Sequence, residues 1–192
     1  MKNYFSFLFL TFTFLMVFGQ TKPGKSKLKI INNERIEDDK DKYKGNPLLV
    51  GNVVLEHEGT TLAADSVVYY REENFAVAWS NVRIVQQDKT ITADYVEYDG
   101  NTTIAKAKGN TKFTDPGNTI TANEMDYNRT TEIANARGKV VMINPEQRVE
   151  TEWMEYNRKT GIARSNTFTK VIGNNGDIIE SQEVIYNTNT RS

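Results

Sequence analysis

The chain has 192 residues, enough for one domain behind a leader. Its 24 basic and 25 acidic residues leave a net charge of −1, so no basic field exists to neutralise nucleic-acid phosphates. There is no cysteine, which excludes disulfides, thiol catalysis, thiolate metal centres and a lipid-modified N-terminal cysteine.

Residues 1–19 read as a cleaved export signal. Lys2 is the only charge ahead of a Phe- and Leu-rich run from Tyr4 to Phe18. That run is about 15 residues, roughly 22 Å as a helix, short of the ~30 Å hydrocarbon core of a bilayer. Val17-Phe18-Gly19 puts short side chains where a signal peptidase needs them, so cleavage before Gln20 is expected. An uncleaved anchor helix is the competing reading. Residues 20–46 form a charged segment, with Glu37-Asp38-Asp39-Lys40-Asp41-Lys42 at its centre, whose default state is a solvated loop or tail. Within it, Lys27-Leu28-Lys29-Ile30-Ile31 has the composition of a first strand that caps or docks.

Residues 47–192 are a repeat. Tyr69, Tyr98, Tyr127 and Tyr156 are 29 residues apart, and Tyr186 follows 30 further on. Leu62, Ile91, Ile120 and Val149 keep the same 29-residue step, as do Phe75, Ile104, Ile133 and Ile162. Ala64, Ala93 and Ala122 are followed in phase by Thr151. Gly51, Ser80, Gly109 and Gly138 read as one turn per unit. Apolar and polar residues largely alternate, as in Thr90-Ile91-Thr92-Ala93-Asp94-Tyr95-Val96-Glu97-Tyr98, the two-residue period of a half-buried strand. Asp99-Gly100-Asn101, Asp115-Pro116-Gly117-Asn118 and Asn144-Pro145 carry turn chemistry between runs. The expected architecture is all-β: stacked units of two to three strands, each about five to nine residues long, making a solenoid-like sandwich.

One face is apolar in every unit and the other carries charges such as Arg83, Lys106, Lys112, Glu97 and Asp126. Leu62 and Ala64 join Val67 and Tyr69 on the apolar face if the strand bulges at Asp65-Ser66. Phe75 and its equivalents break the alternation, and a local kink that turns them inward is one solution. The residues expected to line the interior are Val53, Leu55, Leu62, Ala64, Tyr69, Val82, Ile84, Ile91, Ala93, Val96, Tyr98, Phe113, Ile120, Met125, Tyr127, Val140, Met142, Val149, Met154 and Tyr156. The recurring alanines leave room, which either the opposite sheet or an elongated apolar ligand fills. The tyrosines read either as lipid contacts with a wet hydroxyl or as a sheet-packing ladder.

Catalytic and metal chemistry find little support. His57 is the only histidine, so no zinc site can be built on a histidine pair. Asp65, Asp94, Asn123 and Glu152 recur in phase, but that spacing suits turns better than a calcium cage. No nucleophile elbow or phosphate-cradling glycine loop is present, and the acids follow the repeat rather than clustering once. No catalytic residue, metal or cofactor is therefore expected. The last unit loosens at Asn166, Phe168 and Asn174-Asn175-Gly176-Asp177, which suits strand addition by a partner.

Gly51-Asn52-Val53-Val54-Leu55-Glu56-His57-Glu58-Gly59-Thr60, followed by Leu62-Ala63-Ala64-Asp65-Ser66-Val67-Val68-Tyr69-Tyr70, resembles the OstA/LptA family of periplasmic lipopolysaccharide-transport proteins, most of all its OstA-like branch in Bacteroidetes-type bacteria. Ile91-Thr92-Ala93-Asp94-Tyr95-Val96-Glu97-Tyr98 is similar too, and the likeness covers roughly residues 48–192. The resemblance implies a twisted β-jellyroll with a slot between its sheets. It implies binding of lipopolysaccharide or lipid A, inner- and outer-membrane transport components as partners, end-to-end self-association, and no catalytic residue. A structural or adhesive secreted repeat protein with a solid core is the alternative.

Overall fold

The computed structural model describes residues 26–38 and 41–188, so the expected leader lies outside the described residues. Among these, fourteen strands form one antiparallel sheet and no helix forms. The strands are β1 (Lys29–Asn32), β2 (Arg35–Glu37), β3 (Leu48–His57), β4 (Thr60–Tyr70), β5 (Phe75–Gln86), β6 (Lys89–Asp99) and β7 (Ile104–Thr114). They continue as β8 (Thr119–Asn128), β9 (Ile133–Ile143), β10 (Gln147–Asn157), β11 (Ile162–Ser165), β12 (Thr169–Gly173), β13 (Ile178–Ser181) and β14 (Val184–Asn187). From β3 to β10 the sheet is a meander of sequential hairpins.

Strands β3 to β10 hold 10–12 residues each, longer than the alternation suggests, so a unit is two strands. The glycine column lies in mid-strand rather than at turns. In β7, Gly109 and Asn110 are consecutive left-handed residues, at φ 73° and 47°. Pairing with β8 resumes on both sides, Lys108 with Glu124 and Thr111 with Ala122, so two residues oppose the single Asn123. Such a bulge bends the strand without ending it. Gly51-Asn52, Ser80-Asn81 and Gly138-Lys139 repeat the same left-handed pair. The residues opposite are Asp65, Asp94 and Glu152, so the expected irregularity at Asp65-Ser66 exists, but the extra residue sits on the neighbouring strand.

The in-phase acids are clamps for these bulges. Asn81 Nδ2 donates to Asp65 Oδ2 at 2.8 Å, and Asn110 Nδ2 donates to Asp94 Oδ2 at 2.8 Å. A Cβ on Gly109 would stand 2.5 Å from Asp94 Oδ2, which together with its positive φ accounts for glycine there. At the N-terminus the same clamp is Asn52 to Glu34 at 2.5 Å.

A line of bulges across eight strands folds the sheet into two layers with their apolar faces together, the twisted jellyroll. Phe75, Ile104, Ile133 and Ile162 need no inward kink. Each lies half-buried on the outer face beside an inward alanine, and Phe75 stacks on Tyr70 with ring centroids 5.9 Å apart. The sheet begins inside the charged 20–46 segment: β1 and β2 pair with the free edge of β3, Ile30 with Leu55 and Ile36 with Leu49. After β10 the last pair of strands splits, with β11 and β14 continuing one layer and β12 and β13 the other.

Candidate functional site

The interior between the layers is the candidate site. All twenty residues expected to line it belong to a single buried cluster, none more than 6% exposed. The two layers fill it differently. In one layer, Tyr69, Ala76, Tyr98, Ala105, Tyr127, Ala134, Tyr156 and Ala163 are successive cross-strand neighbours. Each alanine thus makes room for the tyrosine rings on either side. A second row runs Val67, Ala78, Val96, Ala107, Met125, Ala136 and Met154. The other layer presents large residues throughout: Leu55, Leu62, Ile84, Ile91, Phe113, Ile120, Met142 and Val149. Across the interior Phe113 packs on Tyr127 and Tyr156, with centroids 5.6 and 6.1 Å apart. A void of about 10 Å³ remains near the C-terminal end, bounded by Val149, Met154, Ala163 and Tyr186. Leu28, Leu49 and Ala163 also belong to the cluster and were not among the expected lining. Leu28 and Leu49 lie at or before the first repeat, where no column marks them.

The rim opposite the bulge line is where the hairpin turns of the two layers meet, and its residues escaped the sequence reading. The tyrosine hydroxyls bridge it. Tyr69 Oη donates to Leu28 O at 2.9 Å, Tyr98 Oη meets His57 Nδ1 at 2.9 Å, and Tyr156 Oη donates to Asp115 Oδ2 at 3.0 Å. Tyr186 Oη accepts from Asn144 Nδ2 at 3.2 Å. The partners His57, Gln86, Asp115 and Asn144 are themselves 29 residues apart, a column of mixed types that hydropathy cannot reveal. Tyr127 and Gln86 hold the remaining place, yet Tyr127 Oη and Gln86 Oε1 are buried without a hydrogen-bond partner. Burial pushes the Tyr98 hydroxyl up to about 12 and raises Tyr127 and Tyr156 further, so all three stay neutral donors.

Charged pairs reinforce the rim. Arg129 donates to His57 O at 3.1 Å and Glu58 O at 2.9 Å, and also pairs with the Glu58 carboxylate. Arg158 meets Asp88 at 2.6 Å and Glu132 at 3.1 Å. Lys89, only 2% exposed, reaches Glu132 at 3.2 Å. The hydrogen bond from Arg129 holds the Glu58 carboxyl below its ordinary value. Partial burial pushes Glu132 up, but Lys89 and Arg158 together outweigh it and hold that carboxyl low as well. Among the described residues no three His, Asp or Glu side chains gather closely enough to hold a metal ion.

The ends are closed differently. At the N-terminal end Leu28 is buried, its N–H held by Asn74 Oδ1 at 2.9 Å, while Lys27 Nζ donates to Arg71 O and Glu72 O. At the C-terminal end, where the Ala64/Ala93/Ala122 column becomes Thr151, the hydroxyls of Thr151, Ser165, Thr167 and Thr169 hydrogen-bond to one another at 2.8–3.2 Å.

This folded, two-layer architecture has a known counterpart. The solved structure of LptH, the LptA homologous periplasmic component of the conserved lipopolysaccharide transport device from Pseudomonas aeruginosa, superposes with a TM-score of 0.54. The match spans 60% of this chain and 93% of that one at 15% identity, a likeness of fold. Among curated proteins nothing matches. A family model described as OstA-like protein matches residues 25–135, from just before the first strand to the middle of β9. That match covers more than half of the chain and the repeats that build the interior: this chain belongs to the OstA-like family.

Proposed function

We propose that this protein is a periplasmic carrier of lipopolysaccharide, which shields the lipid A acyl chains between its two layers during transit to the outer membrane. The observation that carries the reading is the interior itself: an unbroken apolar lining along eight strands, bounded on one side by turns joined only through side chains. Membership of the OstA-like family supports it. Burying an acyl chain of a dozen carbons is worth about 10 kcal/mol at ~0.8 kcal/mol per CH₂. An exposed ion pair is worth only about 0–1 kcal/mol. The rim contacts are therefore weak beside what a lipid gains by entering. Each unit offers the chain nearly the same surroundings, so no position is a deep trap. Transport components of the inner and outer membranes are the expected partners at the two ends of the sheet. The exposed Ile31 and Ile36 near one end, and Ile178, Ile179 and Ile185 near the other, suit strand-edge contacts with such partners or with further copies. The chain's own residues do no covalent chemistry in this reading.

A structural or adhesive repeat protein with a sealed core is the second reading, and the full burial of the lining favours it. Photo-crosslinking separates the two. p-Benzoylphenylalanine placed at Tyr98 or Tyr127, both inside, is expected to capture lipid A in cells, whereas the same group at Tyr95, on the outer face, is not. Absence of lipid adducts at every inner position, with protein exported and folded, would leave the sealed-core reading standing.

A further inference from the structure

The buried interior has four boundaries, and they differ in what must break to open them. Along the bulge line the backbone of eight strands runs continuously from one layer into the other, so nothing can pass there without unpairing the sheet. The N-terminal end is filled by Leu28 and stitched by Asn74 and Lys27. The C-terminal end is closed by the hydroxyl cluster around Thr151 and Thr169. The fourth boundary is the rim of turns. Its backbone hydrogen bonds run along each layer, as in Arg129 N to Thr103 O at 3.0 Å and Arg158 N to Glu132 O at 3.1 Å. The contacts that join one layer to the other all use side chains: Arg129 to Glu58, Arg158 to Asp88, Lys89 to Glu132 and the tyrosine ladder. The two arginines are in phase with each other and with Arg71, so the repeat supplies a basic residue to this rim in three of four units. In the ladder, the place of Tyr127 and Gln86 is unbonded, which leaves the middle of the rim its least fastened part.

The geometry points to the rim as a lateral door: the layers part at their turns, and acyl chains enter sideways between them rather than threading from an end. This inference rests on the lipid-carrier reading above. Parting the layers at the turns leaves every strand ladder intact. It uses the bulges as hinges, since each is a two-residue bend in an otherwise continuous strand.

The test uses the absence of native thiols. The paired variants E58C/R129C and D88C/R158C are bridged across the rim with a short bis-maleimide, or capped with N-ethylmaleimide as the unbridged control. Each is exposed to diphosphoryl lipid A in mixed detergent micelles, and retained lipid is read by native mass spectrometry. Bridged protein is expected to retain about tenfold less lipid than capped protein. A separate variant, E58Q/D88N, keeps the fold but lacks the two carboxylates and is expected to load faster than the parent chain. Bridged protein that loads as well as the capped control overturns the door while leaving lipid binding in place. Failure of parent, capped and E58Q/D88N proteins alike to retain lipid removes the carrier reading and the door with it.

Discussion

At the residue scale, the ladder of tyrosines shows how identical side chains in identical phase acquire different energetic roles. Tyr156 Oη is doubly engaged, donating to Asp115 and accepting from Asn118 Nδ2 at 2.9 Å. Tyr127 Oη, one unit earlier, is buried and unpaired. A buried hydroxyl left without a partner costs free energy, whereas a satisfied one contributes. Tyr156→Phe is therefore expected to destabilise the fold by about 1–3 kcal/mol, since it also strands the buried Asp115 and Asn118 groups. Tyr127→Phe is expected to be neutral or slightly stabilising. Urea unfolding of the two variants side by side checks this, and equal losses would contradict the hydrogen-bond assignment. The aspartates show the same dependence on surroundings. Asp65 and Asp94 look like turn formers by type and spacing, yet each holds a bulge through an asparagine on the neighbouring strand.

At the scale of elements, the rim is the part of the fold most sensitive to acid. Glu58 and Glu132 both have carboxyls held below their ordinary value by Arg129, Lys89 and Arg158. A carboxyl depressed in the folded state stabilises the fold above its unfolded pKa, and that contribution fades as pH falls through the folded pKa. The contribution is thus fully present at neutral pH and is lost below the ordinary carboxylate value of 4.5. Stability is expected to fall from about pH 5 to about pH 3, with the turns loosening before the strand ladders. Urea midpoints across that range provide the check. Glu132→Gln should flatten the profile, and an unchanged slope would show that the rim pairs do not carry it.

At the scale of the whole molecule, contacts are almost entirely between neighbouring strands, the arrangement in which stability sums over units. A chain ending at Asn157 loses β11 to β14 but keeps the units from β3 to β10. It is expected to stay folded, with a smaller urea m-value in proportion to the surface no longer buried. Circular dichroism during urea titration measures both, and complete loss of strand signal would mean that the terminal split pair nucleates or caps the sheet.

Much of this architecture is written in the order of residues. The 29-residue period, the strand alternation and the inward set from Val53 to Tyr156 follow from hydropathy and phase, because a pleated strand sends alternate side chains to opposite faces. Gly109-Asn110 could be seen, but not its meaning, since a left-handed pair serves a turn or a bulge equally well and only pairing on both sides tells them apart. The outward place of Phe75 was likewise decided by the register with Asp99 and Tyr70. The rim was decided wholly by tertiary structure. Arg129 meets Glu58, and Arg158 meets Asp88, across 71 and 70 residues of chain, because the folded layers cross at an angle set by the bulges and the twist of the sheet. Local sequence carries periodicity, but it holds no record of which turn of one layer will stand above which turn of the other.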